Sequence, residues 1–178
     1  MTRLFDFFFS FIGLFILSPI LILLFVIGLI ENGSPLFKQY RVGKNQKLFL
    51  LIKFRTMQRG TRSVATHLIN PSMITPFGYF LRNTKLDELP QLYNVLIGNM
   101  SLVGPRPCLS NQEELISERK KKGVFYVRPG ITGLAQISGV NMKTPALLAE
   151  TDLEMIIKMN SYFYFYYIFK TIILIFKK

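Results

Sequence analysis

From Leu4 to Ile30 the chain is almost wholly apolar, and Asp6 is the only charge between Arg3 and Glu31. The run is long enough for the roughly 20 residues that cross a bilayer. It is too long for the apolar region of a secretory signal peptide, and no Ala-x-Ala-like cleavage site follows, so it is expected to stay attached as an anchor. Ser18-Pro19 stands at its centre. Proline lacks the backbone donor of a helix interior and its ring strikes the preceding turn, so a kink is expected there. Two arrangements satisfy this pattern. One is a kinked crossing helix; the other bends at Ser18-Pro19 and returns to the side it entered. Hydropathy leaves both open. After Glu31 the chain carries 21 Lys and Arg against 8 Asp and Glu. That excess assigns the remainder to the cytoplasmic side.

At 178 residues the chain suits one domain with a membrane element. Half of it is hydrophobic, mean hydropathy is +0.33 and net charge is +12. A basic, apolar chain suits either nucleic acid or an anionic membrane surface. Cys108 is the only cysteine and His67 the only histidine. That excludes an intrachain disulfide framework, a multi-Cys zinc site and a Ser-His or Cys-His triad. Catalysis would run on carboxylates, Lys, Arg and hydroxyls.

Between Asn32 and Lys85 there are ten Lys and Arg and no acid. Asp87 and Glu88 then follow side by side, and the next acid is Glu113. A nucleophile or metal ligands held among cations fit this pattern, as does a polyanionic substrate. The plainer alternative is a helix start, where acids suit the positive end of the dipole.

Leu36–Val42 and Lys47–Phe54 read as strands of a hairpin around Gly43–Gln46. Gln58–Pro76 reads as a loop, and nothing is assigned to its His67. Phe77–Arg82 suits a short helix. Asn83 or Thr84 is expected to cap a second one from Leu86 to Ile97, with Asp87 and Glu88 in its first turns. Arg106 lies between Pro105 and Pro107, whose rigid backbone suits a guanidinium held for bidentate phosphate binding. Asn111–Lys122 and Ala146–Lys158 read as helices. The glycine-punctuated stretch 127–139 reads as a loop, with neither the lysine of a P-loop nor GxGxxG. Ser161–Phe176 is aromatic and aliphatic, short for a crossing, and suits an interfacial helix.

Taken together, these motifs resemble the bacterial sugar transferase family, the small monotopic phosphoglycosyl transferases. The resemblance covers nearly the whole chain. It rests on Arg3-Leu4-Phe5-Asp6, Ser18-Pro19, Gly33-Ser34-Pro35, Arg41-Val42-Gly43-Lys44, Lys53-Phe54-Arg55-Thr56-Met57 and Leu81-Arg82. It continues through Leu86-Asp87-Glu88-Leu89-Pro90-Gln91-Leu92, Asn94-Val95-Leu96, Met100 to Pro107, and Val127-Arg128-Pro129-Gly130-Ile131-Thr132-Gly133. Departures are Leu134 where the family often has Trp, Asn99 where it often has Asp, and Met155 for a frequent aromatic. Tyr164 and Tyr166 stand for a usual Asp and Lys.

The resemblance implies an α+β fold. Residues 1–31 form a re-entrant membrane helix broken at Ser18 and Pro19. Residues 32–178 form a small, mostly helical cytoplasmic domain with a short β-hairpin and interfacial C-terminal amphipathic helices. The implied reaction moves a sugar-1-phosphate from a UDP-sugar to a polyprenol phosphate, usually undecaprenyl phosphate, and releases UMP. Asp87 would be the nucleophile and form a covalent phosphosugar-enzyme; Glu88, with Asp87, would bind Mg2+. Lys53, Arg82, Arg106 and Arg128 are the expected phosphate-binding cations, and Asp152 has a supporting role. The implied setting is the cytoplasmic face of the bacterial inner membrane, among its phospholipids and downstream glycosyltransferases, at the first membrane step of a polysaccharide, lipopolysaccharide or capsule glycan. A homodimer is left open. The rival readings are a basic membrane-anchored nucleic-acid-binding protein and a non-catalytic scaffold. Against nucleic acid, the aromatics gather at the C-terminal end rather than among the basic residues.

Overall fold

Proline 19 sets the shape of the N-terminal element. In the computed structural model, which describes residues 2–61 and 71–177, the apolar run forms two helices, α1 (Thr2–Ile16) and α2 (Ser18–Asn32). They are bent by 63° at the break. The missing N–H of Pro19 would have served the Phe15 carbonyl in an unbroken helix. The Ser18 hydroxyl donates to that carbonyl instead, at 2.7 Å. The pair Ser18-Pro19 thus breaks the helix without stranding an acceptor in an apolar setting. Among the described residues no single helix is long and apolar enough to cross a membrane. The side chains near the bend, including Phe11, Phe15, Ile16, Ile20 and Ile22, are exposed.

Both ends of the bent pair touch the rest of the chain. Near its start, Asp6 is buried, and its Oδ1 accepts from Ser101 Oγ at 2.9 Å, Leu102 N at 2.9 Å and Tyr164 Oη at 2.8 Å. Arg3 donates to the carbonyls of Val95 and Leu96. At the far end, Glu31 accepts from Thr75 Oγ1 at 2.9 Å and Phe77 N at 3.2 Å. Gly33, in the left-handed conformation, closes α2. Arg55 then donates to the Ser34 carbonyl at 2.9 Å.

The expected hairpin forms from β1 (Leu36–Val42) and β2 (Leu48–Phe54), paired antiparallel from Leu36 opposite Phe54 to Val42 opposite Leu48. β2 buries Phe49, Leu51 and Phe54. His67 lies outside the described residues. Helix α3 (Pro76–Thr84) follows, capped by Thr75, whose hydroxyl accepts from Gly78 N at 2.9 Å.

The single helix expected from Leu86 to Ile97 is divided. Lys85 takes a left-handed conformation, φ 60°. Leu86–Glu88 makes one 3-10 turn, and α4 (Gln91–Leu96) starts afresh. Pro90 has no N–H to return to Leu86, so the α ladder cannot run through. The expected Thr84 cap is replaced as well: its hydroxyl donates backwards to Phe80 O at 2.8 Å.

A second sheet lies where loops are expected. β3 (Ser101–Val103) pairs in parallel with β4 (Gly130–Thr132). The strands approach so closely that a Cβ on Gly130 would stand 2.0 Å from Gly104 N. The remaining helices are α5 (Glu113–Lys121), α6 (Leu134–Ile137), α7 (Pro145–Lys158) and α8 (Ser161–Phe176). The Asn160 side chain caps α8. That helix buries Tyr164 and Tyr167 against Val103 and Met155 and exposes Tyr162, Phe165, Phe169 and Ile172. The fold is therefore mixed and mostly helical, with two small sheets.

Asp6→Ala would strand three donors, two of them the side chains of Ser101 and Tyr164. It is expected to lower the unfolding free energy by roughly 2–4 kcal/mol, and Tyr164→Phe by about 1 kcal/mol. Denaturant unfolding in detergent checks both.

Candidate active site

The 3-10 turn at Leu86–Glu88 turns two carboxylates inward. Asp87 is buried, 6% exposed, and the Glu88 side chain is 14% exposed. Four cations reach them from separate elements: Lys53 from β2, Arg82 from the last turn of α3, Lys85 from the left-handed link, and Arg106 from the Pro105–Pro107 segment. The sequence-predicted residues Asp87, Glu88, Lys53, Arg82 and Arg106 are therefore brought together.

Each cation is held in a definite way. Arg106 Nη2 meets Glu88 Oε1 at 3.0 Å. Arg82 Nε donates to Thr56 Oγ1 at 2.8 Å. Lys53 Nζ stands 5.5 Å from the centre of the Phe37 ring, a cation–π distance. Helix α3 lies directly on Thr56, for a Cβ on Gly78 would fall 2.1 Å from the Thr56 carbonyl. Thr56 and Gly78 were not foreseen as site residues. Their signal is the short distance in sequence to Lys53 and Arg82.

Electrostatics separate the two acids. Burial, followed by the neighbouring Glu88 charge, pushes the Asp87 carboxyl up to about 6, against the pull of Lys53, Lys85 and Arg82. Burial also works against Glu88, but Arg106, Lys85 and Lys53 together hold it below the usual glutamate range. The Glu88 charge in turn raises Arg106. Burial lowers Lys53 despite both carboxylates. Arg41, absent from the predicted cation set, joins the edge of the cluster. Burial first and Arg106 second lower it to about 10. Its sequence signals are its place in the basic run before Asp87 and in the Arg41-Val42-Gly43-Lys44 motif, neither of which points to the acids.

Two predicted residues lie apart from the acids. Arg128 donates from Nε to the Gly98 carbonyl at 2.8 Å and lines a cavity of about 200 Å³ with Asp6, Lys44 and Tyr126. Asp152 is paired with Arg119 between α7 and α5, at 2.7 Å. Among the described residues no three His, Cys, Asp or Glu side chains gather as a metal cage. Two adjacent carboxylates with hard oxygen donors still fit Mg2+, which binds through one or two carboxylates plus substrate phosphates. Among the described residues, Lys53, Lys85 and Arg82 act on Asp87 through charge rather than through a hydrogen bond. A cluster of carboxylates and cations of this kind can bind phosphoryl groups and present them to a carboxylate oxygen.

The family model for bacterial sugar transferases matches residues 1–178. The chain belongs to the bacterial sugar transferase family. Exopolysaccharide production protein PSS of Rhizobium leguminosarum bv. phaseoli is 43% identical over 157 residues, 81% of this chain and 76% of that protein. Undecaprenyl-phosphate galactose phosphotransferase of Salmonella typhimurium is 39% identical over 161 residues, 79% of this chain and 33% of that protein. UDP-glucose:undecaprenyl-phosphate glucose-1-phosphate transferase of Xanthomonas campestris pv. campestris is 43% identical over 123 residues, 65% of this chain and 25% of that protein. The chain thus spans about a third or less of the latter two relatives.

The raised Asp87 carboxyl has a cost in stability. A carboxyl with a folded value above its unfolded one loses stability as pH rises from the unfolded towards the folded value. With the Asp87 value near 6 against an ordinary 3.8, the loss is on the order of 3 kcal/mol above that window. Asp87→Asn is therefore expected to be more stable than the unsubstituted protein near pH 8 in chelator, and equally stable near pH 4. Denaturant unfolding at the two pH values checks this.

Proposed function

We propose that this protein is a membrane-bound phosphoglycosyl transferase. It moves a sugar-1-phosphate from a UDP-sugar to a polyprenol phosphate, undecaprenyl phosphate in bacteria, and releases UMP. The observation that carries this reading is the buried Asp87–Glu88 pair ringed by Lys53, Arg82 and Arg106. A diphosphate donor and a phosphate acceptor both need such cations. A carboxylate nucleophile needs no histidine, which suits a chain whose only one is His67. The names of the Salmonella and Xanthomonas relatives join undecaprenyl phosphate to galactose and glucose transfer.

In the proposed reaction Asp87 Oδ attacks the phosphorus that bears the sugar. An aspartyl O–P bond forms, the P–O bond to UMP breaks, and UMP leaves with the bonding electrons. An oxygen of the polyprenol phosphate then attacks the same phosphorus. The aspartyl O–P bond breaks and the carboxylate is restored. Lys53 and Arg82 offset the charge on the transferred phosphoryl group, and Arg106 holds Glu88 ionised beside it. Glu88 and Asp87 would hold Mg2+, which would supply further charge neutralisation when bound.

We read residues 1–31 as a re-entrant membrane helix and 32–178 as the catalytic domain on the cytoplasmic face. Supporting this, Arg3 and Asp6 at one end and Glu31 at the other all bond to that domain, while the exposed apolar side chains lie between. A straight crossing would carry Asp6 to the opposite side. The aromatic face of α8 lies in the same interface. The product is a lipid-linked sugar, the starting point for glycosyltransferases that extend a polysaccharide or capsule glycan.

Purified protein, a UDP-sugar panel, undecaprenyl phosphate and Mg2+ are expected to release UMP. Without acceptor, intact-mass measurement is expected to show the protein heavier by one sugar phosphate. Asp87→Asn is expected to lose both signals, and Glu88→Gln to lower turnover on the order of a hundredfold. Asparagine at 87 with undiminished transfer would sink the covalent route. Cysteine labelling at positions 2 and 34 is expected to occur from one side of the membrane, and labelling from opposite sides would rule out the re-entrant helix.

A further inference from the structure

We propose that Arg119, anchored by Asp152, is a positioning residue for Arg106 and, through it, for Glu88. The kinetic part of this proposal rests on the transferase reading; the geometric part does not.

The contacts form a continuous line. Arg119 donates from Nε at 2.9 Å and from Nη2 at 2.7 Å to Asp152 Oδ2. Its Nη1 donates to the Arg106 carbonyl at 2.8 Å. Arg106 Nη2 then reaches Glu88 Oε1 at 3.0 Å. The Arg119 and Asp152 side chains are 2% and 1% exposed, so water competes for none of the Arg119–Asp152 bonds.

The segment that carries Arg106 is held at every carbonyl. Pro105 O accepts from Gly130 N at 2.8 Å, Pro107 O from Arg41 Nη1 at 3.3 Å and Cys108 O from Val42 N at 3.0 Å. Arg119 supplies the one donor for Arg106 O among the described residues. Pro105 and Pro107 restrict the backbone on both sides of Arg106. Arg119 completes that restraint at the peptide from which the guanidinium projects.

Stability alone does not account for this pair. Removing two charges from water costs several kcal/mol per ion, and an apolar pair of similar volume often packs two helices equally well. The pair is also incompletely satisfied, for Asp152 Oδ1 is buried without a hydrogen-bond partner among the described residues. What an apolar pair cannot do is donate to the Arg106 carbonyl. That donation leads to the proposed site, whose carboxylates neither Arg119 nor Asp152 bonds among the described residues. Asp152 therefore gains its supporting role at one remove.

The test replaces both charges together. Arg119→Met/Asp152→Leu is expected to keep the unfolding midpoint of the unsubstituted protein. Its Arg106 Nε–H order parameter, measured by NMR in detergent, is expected to fall from a rigid to a flexible value. Turnover is expected to drop roughly tenfold to a hundredfold, with KM for the UDP-sugar changed less than about threefold. Added to Arg106→Gln, the double substitution is expected to cause no further loss, because both act through one side chain. Arg119→Lys keeps a charge opposite Asp152 but gives up the fork that also reaches Arg106 O. It is expected to reproduce the loosened Arg106 if the double variant does not fold. An Arg106 side chain as ordered as before in the folded variant overturns the proposal, and so do losses that multiply with Arg106→Gln. Should the unsubstituted protein turn over no UDP-sugar, the transferase reading fails, and the order parameter still decides the positioning.

Discussion

Two adjacent carboxylates taken out of water repel each other and lose solvation, so they stay in one place only if cations surround them. Much of this fold answers that constraint. The hairpin brings Lys53, α3 brings Arg82, and the Pro105–Pro107 segment brings Arg106 to the turn at Asp87–Glu88. The balance is unequal between the two acids. Arg106 bonds Glu88 directly and keeps it ionised, whereas Asp87 meets its cations without a hydrogen bond among the described residues and is pushed up to about 6. A carboxylate left without a close partner, beside one that has a firm partner, suits a nucleophile next to a group that holds charge.

Residue type and order revealed much of this, because the features are local. The proline break, the hairpin and the acidic pair each sit within a few neighbouring residues, and their chemistry shows in the letters. The undivided helix from Leu86 to Ile97 was a misreading of the same local information. The apolar positions continue through Pro90, but the ladder cannot, and Lys85 adopts a conformation that its residue type does not announce. The β3–β4 pair was hidden for a different reason. Three-residue strands leave no period to detect, and what permits them is contact between Gly104 and Gly130, residues far apart in sequence.

The site was legible in the same uneven way. Lys53, Arg82 and Arg106 were recognisable as cations near two acids. What fixes them, the Thr56 hydroxyl, the Gly78 contact and the Arg119 fork, depends on tertiary packing that no spacing rule reaches. Arg128 stands in one of the motifs that carry the resemblance, and neither charge nor motif says which acid a cation faces. Its company is Asp6, Lys44 and Tyr126.

The bent helix pair and the acidic site are not independent parts. Asp6, on α1, accepts from Ser101 and Leu102 at the start of β3, and β3 runs straight into Pro105-Arg106-Pro107. Glu31, at the end of α2, grips Thr75 and Phe77 at the start of α3, whose last turn carries Arg82. Each end of the bent helix pair therefore holds the element that supplies one of the cations. Tyr164 adds its hydroxyl to Asp6 and ties α8 to the same point. A hydroxyl can donate to that buried carboxylate, whereas a second carboxylate there would repel it. If α1 and α2 settle in a lipid surface as proposed, their depth there would set the height of Arg82 and Arg106 above it. On the proposed reading, a lipid-borne phosphate and a water-borne diphosphate would meet Asp87 at that boundary.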